Sequence, residues 1–414
     1  MLDRVMIIFK KMRNEKTKIE KRNIVSLVGS KGISRIGDIM FDFANNTFLA
    51  GINPHSMSLV GIYQALENII GTLFNLFGGV IADNFGRKNI LVFTNVFCGI
   101  ICILLSFISI DVWLIYAVVV TNVILAFLSA FSSPSYKAFT KEIVEKQNIS
   151  KLNSYLETTS TIIKVSVPMI AVFLYGQLGV RGVLILDGIS FLAAAFLIYL
   201  IKPIGDKVLG NNKKSLSSIF YDLAAGFRYL IDHRKILIII ILSALVNFFL
   251  AGYNLVLPYS NQMFAELPSG LYGTFLTAEA AGGLLGSILS GRINKYLSVK
   301  KLILYLGISG LMLAIAPVLY IGFHNAIVLA ISPALFNLFL SVFNIQFFSF
   351  VQRDVDNEFL GRIFGIIFSV AILFMPIGTW AFSLLLNPEM TFNFSVIGVA
   401  VMVLSFVFFF LMRE

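Results

Sequence analysis

The stretch Gly79-Val80-Ile81-Ala82-Asp83-Asn84-Phe85-Gly86-Arg87-Lys88 stands between two apolar runs, 58–81 and 89–110. Each run is near the ~20 residues an α-helix needs to cross a bilayer, so 82–88 reads as the turn between two membrane spans. Glycine serves such a turn because it tolerates positive φ. Arg87 offers a planar fork for a carboxylate or a carbonyl. Asp83 is an unusual acid in a loop that is otherwise basic.

Outward from this turn the pattern repeats. Apolar runs predict spans at 24–50, 58–81, 89–110, 112–131, 154–177 and 183–201, then at 236–258, 269–291, 301–321, 325–350, 361–386 and 392–411. The chain of 414 residues is 58% hydrophobic and 13% charged, against about 25% charged in soluble domains. Water could not solvate so much apolar surface, whereas lipid can, provided each helix satisfies its own backbone. The expected fold is an all-α membrane protein of twelve transmembrane helices in two pseudo-symmetric six-helix bundles. Val5–Phe9 is too short for a signal core and precedes a basic run, so no cleavable leader is expected.

The loops that should share one side are the N-terminal arm, 82–88, 132–153, 202–235, 292–300, 351–360 and the C-terminus. With their helix ends they hold 28 of the 32 Lys and Arg residues; the opposite loops hold Arg181, and Lys31, Arg35 and Lys164 lie inside spans. That bias predicts both termini in the cytoplasm of an inner-membrane protein. The net charge of +10 then reflects topology and contact with anionic lipid rather than nucleic-acid binding.

The domain reading follows: 1–23 a basic arm, 24–201 one bundle, 202–235 a linker, and 236–414 a second bundle. Within the linker, Ser215–Ile231 shows apolar residues at helical spacing, predicting an amphipathic helix on the membrane surface. The halves read as a parallel repeat. Arg87-Lys88-Asn89-Ile90-Leu91 aligns with Lys300-Lys301-Leu302-Ile303-Leu304 at an offset of 213, which sets Gly78 on Gly291 and brings Glu67 within one residue of Glu279. Repeated halves around a midplane site are typical of secondary transporters.

The turn after the second span resembles the G-x-x-x-D-x-x-G-R-K signature of the major facilitator superfamily. Asp187-Gly188-Ile189-Ser190-Phe191-Leu192, Ser133-Pro134 and Gly361-Arg362-Ile363-Phe364-Gly365 are similar to the branch that contains macrolide-efflux proteins and the enterobactin exporter. Lysophospholipid transporters are similar too. The resemblance implies that Gly79, Asp83, Gly86, Arg87 and Lys88 form a cytoplasmic gate, with Asp83 facing the start of span eleven near Gly361 and Arg362. In the second half Tyr296 stands where Asp83 aligns, which would make the latch one-sided. Ile163 and Val167 replace the glycines that antiporters of the family often carry before Pro168, and span four lacks an R-x-x-Q-G pattern.

Ionisable residues inside spans are costly, at about 2.5–3.5 kcal/mol even on insertion scales, and so mark cavities or partners. Lys31, Arg35, Asp38 and Asp42 share one face of span one, at spacings of four, three and four. Glu67, Lys164 and Glu279 lie near the middle of spans two, five and eight. A carboxyl in a part-dry cavity can load and lose protons near neutral pH, so Asp38, Asp42, Glu67 and Glu279 are the proton-coupling candidates, with Lys164 a counter-ion or an anchor for an anionic group. The competing reading is a permanent ion-pair network, favoured for Arg35 with Asp38. Asn122, Asn247, Asn254, Asn337, Asn344 and Gln346 read as helix glue or path lining.

Cys98 and Cys102, one turn apart with no acid or His on their helix, read as apolar filler rather than metal ligands. No nucleotide loop or catalytic triad stands out, so an enzyme is not expected. The expected function is proton-driven efflux of amphipathic compounds by a monomer without cofactor, the proton gradient supplying the energy. The rivals are a lysophospholipid or siderophore carrier and, from another class, a non-transporting sensor or toxin-immunity protein.

Overall fold

The computed structural model describes residues 2–52, 56–84, 86–204, 225–293 and 298–412, and their side chains except at 2–16, 75–84, 111, 357–358, 361, 368 and 371–372. The described residues are helical almost throughout. This is the arrangement that satisfies every backbone N–H and C=O within its own segment, as a hydrocarbon solvent requires.

The helices are α1 (Leu2–Ala50), α2 (Met57–Asn84), α3 (Arg87–Ser106), α4 (Asp111–Ile143), α5 (Ile149–Tyr199), α6 (Arg234–Val256), α7 (Leu271–Arg292), α8 (Val299–Ala314), α9 (Ala316–Phe323), α10 (Ala326–Asp354), α11 (Asn357–Leu385) and α12 (Asn393–Leu411). Among the described residues seven helical segments are long and apolar enough to cross a membrane, and they include α3, α4, α5, α10 and α12. α1 continues the first predicted span through the basic arm as one helix of 49 residues. α5 carries two predicted spans, divided at Gly179, whose φ of +63° breaks the helical path. That backbone conformation is open to glycine and strained for other residues. The predicted amphipathic helix starts outside the described residues; its end is helical over 225–232.

The chain forms two compact units. One comprises Met1–Ala44, Ile70–Val167 and Phe173–Lys213, the other Asn45–Ile69, Pro168–Val172 and Lys214–Glu414. The second unit therefore includes the ends of α1 and α2 that lie away from the basic loops, together with a short piece of α5.

Inside each unit the helices meet through glycine. In the first, a Cβ on Gly99 of α3 would lie 2.8 Å from the carbonyl of Gly188 on α5, and a Cβ on Gly188 would lie 2.8 Å from that of Gly99. In the second, Gly310 of α8 and Gly398 of α12 stand in the same reciprocal relation at 2.5 Å. α7 packs on α10 through Gly282 and Gly286, where a Cβ would reach the Ala334 carbonyl at 1.9 Å and the Leu338 carbonyl at 2.3 Å. Small residues at such seams let backbones approach closely, and dispersion then holds the helices where lipid supplies no hydrophobic drive.

Candidate functional site

The charged face of α1 belongs to the first unit. Lys31 holds its ammonium 4.5 Å from the centre of the Tyr136 ring on α4, a cation–π contact that stands in for water. Arg35 and Asp38 pair at 3.8 Å, both partly exposed. Lys31 and Arg35 line a small cavity with Val28, Gly32, Leu156, Thr159 and Ser160. Asp42 is half-buried further along the helix. Lys164 is exposed on α5 and is not among the residues lining that cavity.

Glu279 sits mid-way along α7 in the second unit. The hydroxyl of the buried Tyr253, on α6, donates to its Oε1. Asn337 of α10 also hydrogen-bonds its carboxyl, and Ser341 donates to Asn337 Oδ1 at 3.4 Å. Two helices, α6 and α10, thus reach one acid of α7 through neutral groups. Glu67, also in this unit, is half-buried on α2.

At the end opposite the basic loops the second unit is laced by uncharged polar groups. Gln64 Nε2 donates to Asn46 Oδ1 at 3.0 Å and to the Asn254 carbonyl at 3.2 Å. Ser56 and Tyr259 share a hydrogen bond of 2.9 Å, and Gln262 Nε2 donates to the Ala50 carbonyl at 3.0 Å. Gly61 of α2 lies against Thr379 and Ser383 of α11. Residues of the sequence's first half are in this way hydrogen-bonded to residues of its second.

The gate motif falls partly within the described residues. Gly79 and Asp83 lie on α2, where side chains fall outside the described residues, as does Tyr296. Gly86 caps the start of α3. Arg87 Nη1 meets Glu142 Oε1 at 2.8 Å, the side chains being 8% and 10% exposed. Lys88 Nζ donates to the carbonyls of Tyr199 and Ile201 at 2.7 and 2.8 Å, capping the end of α5. The same end of the unit is tied by Asn23, which donates to the Lys202 carbonyl at 2.6 Å and accepts from Lys202 N at 3.1 Å. Arg362, at the start of α11, lies 5.2 Å from the Phe359 ring centre. Nearby, the Tyr229 hydroxyl bonds Asp356 Oδ2 at 3.3 Å.

Sequence reading overlooked three groups. Glu142 lies in a predicted loop that the structure makes part of α4. Tyr253 is an aromatic in an apolar run, and nothing in its spacing signals a carboxylate partner. Asp187 satisfies the rule that singled out the other acids, an ionisable residue inside a predicted span, but was read only as part of a motif. It is fully buried. Of the amides, Gln346 acts as glue, donating to the carbonyl and hydroxyl of Ser290 at 3.0 Å each.

The model of the Major Facilitator Superfamily matches residues 32–379. The chain belongs to the major facilitator superfamily. Its members are transporters and not enzymes, and this one is a multi-pass membrane protein. Macrolide efflux protein A of Enterococcus faecalis is 23% identical over 336 residues, 78% of this chain and 98% of that protein. The Staphyloferrin A transporter of Staphylococcus aureus (strain NCTC 8325 / PS 47) is 23% identical over 368 residues, 87% and 89% of the two chains. Among solved structures, a bacterial homologue of the iron transporter ferroportin in its inward-facing state superposes with a TM-score of 0.72 at 18% identity, covering 95% of this chain and 98% of the other. A nucleoside transporter superposes with a TM-score of 0.74 at 14% identity, covering 94% and 100%. These likenesses show the transporter fold.

Proposed function

We propose that this superfamily member is a proton-coupled exporter of amphipathic compounds that works by alternating access across the inner membrane, with both termini in the cytoplasm. The observation that carries the reading is Glu279, an acid in the middle of a membrane helix held by a tyrosine hydroxyl and an amide rather than by a cation. Such an acid can be neutralised by a proton and, when ionised, attracts a cationic substrate. The partly exposed Asp38 supplies a second carboxyl in the first unit. The likeness to macrolide efflux protein A supports an efflux direction and a bulky amphipathic cargo. The motif around Asp83, Arg87 and Lys88 fits a gate on the cytoplasmic side.

In proteoliposomes, an imposed pH gradient is expected to drive a hydrophobic cation such as ethidium, and a protonophore to stop it. Glu279→Gln is expected to lower gradient-driven flux at least tenfold, equivalent to about 1.4 kcal/mol in the coupling step. Flux that persists without a gradient, or an unchanged Gln variant, would sink the reading.

A second reading rests on the cations of α1. Lys31 and Arg35 line a cavity with Thr159 and Ser160, which suits an anionic, oxygen-rich cargo, and the Staphyloferrin A transporter is a relative. Competition by citrate-type carboxylates for the ethidium flux, lost in Arg35→Gln, would favour it.

A further inference from the structure

Asp187 plays no part in the cycle just described. It lies on α5 beyond Gly179 and has no exposed surface (0%). Its Oδ2 accepts from Cys102 Sγ at 3.4 Å. Its Oδ1 lies 3.5 Å from Ser190 Oγ, a hydroxyl that donates at 2.7 Å to the carbonyl of Asp187 itself. Across the seam stands α1: a Cβ on Gly37 would come within 2.2 Å of Asp187 Oδ1 and 2.1 Å of Ser190 Oγ. The bare backbone at Gly37 is what lets the carboxyl lie flat against α1.

The titratable groups around it are few. α3 presents Cys98 and Cys102. α1 presents Asp38, one residue after Gly37, itself within reach of Arg35 and Lys31. Among the described residues no Lys or Arg forms an ion pair with Asp187. A carboxylate sealed from water with a thiol and a hydroxyl as its neighbours is costly to keep charged, whereas the neutral acid is not.

We propose that Asp187 is a proton-binding residue coupled to α1: protonated while the Gly37 face of α1 covers it, and ionised when that face withdraws. Losing the proton to water requires water to reach the seam, so ionisation and separation of α1 favour one another, and by linkage neither can be shifted without the other. The purpose assigned to this switch, proton-driven export, rests on the reading above; the protonation equilibrium itself is a property of the purified chain. The plain alternative is a permanently neutral acid that glues helices.

The chain carries two cysteines, both free and buried beside this carboxyl, and they report on the seam without engineering. In purified full-length protein the infrared band of a protonated carboxyl is expected at neutral pH. Its Asp187 component, separated by difference from the contribution of Glu279 common to all the variants, should fade on alkaline titration, be missing from Asp187→Asn and move in Asp187→Glu. Maleimide should modify wild-type thiols several-fold faster than those of Asp187→Asn at the same alkaline pH, even though a negative charge beside Cys102 works against its thiolate in the wild type and so acts in the opposite direction. Equal alkylation of the two proteins at every pH, or identical protonated-carboxyl bands in the wild type and the Asn variant, would overturn the proposal. If Asp187→Asn does not fold, the wild-type and Glu titrations decide: an unshifted band in the Glu variant overturns it. Neither readout needs substrate or a gradient, so cargo movement without protons would remove the transport reading and leave this one standing.

Discussion

Arg87 and Glu142 show what a single pair contributes. They meet at 2.8 Å, nearly out of solvent, where removing one partner strands the other's charge at a cost of about 3–5 kcal/mol. Arg87→Ala is therefore expected to lower thermal stability in detergent far more than Lys88→Ala, whose partners are carbonyls at the end of a helix. The double change Arg87→Met with Glu142→Leu should recover most of the loss, since two matched apolar groups leave no orphan. Melting curves of the purified variants check this. Tyr253→Phe isolates a different contact. It deletes the hydroxyl that donates to Glu279 while keeping the ring against Phe336 and Phe394. The expected result is near-normal stability with an altered pH profile of transport. An unchanged profile would mean that the hydroxyl positions nothing.

Elements are joined by two kinds of seam, and they should respond differently to mutation. The glycine seams are tight and apolar. At Gly282 a side chain would collide with the backbone of α10, so Gly282→Leu must push whole helices apart, costing about 1–3 kcal/mol or more. The polar junction of Gln64, Asn46, Asn254, Ser56 and Tyr259 is a set of single hydrogen bonds, each about 0.6 kcal/mol in membrane helices. Gln64→Ala with Ser56→Ala should barely change the melting temperature. It should instead raise the labelling of a cysteine placed at Asn254 by a membrane-impermeant reagent added from outside. Unaltered labelling would mean that this junction does not open in the working protein.

Across the whole molecule, the sequence showed most of the architecture because lipid imposes one simple rule on it. Every crossing segment must be a helix with an apolar coat, and each such run is visible as composition. The family signature was legible for the same local reason, its residues being contiguous from Gly79 to Lys88. What escaped were groups made functional by neighbours distant in sequence. Glu142 has its meaning from Arg87, Tyr253 from Glu279, and Asp187 from the bare backbone of Gly37. The reciprocal glycine contacts, Gly99 with Gly188 and Gly310 with Gly398, escaped too; their offsets of 211 and 210 lie near, not at, the 213 by which the halves align. If the two seams are equivalent, Gly99→Leu and Gly310→Leu should each lower the melting temperature by similar amounts, and a large disparity would argue against a structural repeat.

One consequence follows from where the two units divide. Four of the boundary's five points, 44/45 in α1, 69/70 in α2, and 167/168 and 172/173 in α5, fall inside helices, and the fifth, 213/214, lies outside the described residues. Three helices therefore cross it, and Pro168, with no amide proton to offer the preceding turn, stands at the crossing in α5. A rearrangement of such a body has to bend these springs. Its turnover should accordingly slow steeply on cooling, and replacing Pro168 with alanine should steepen that dependence further.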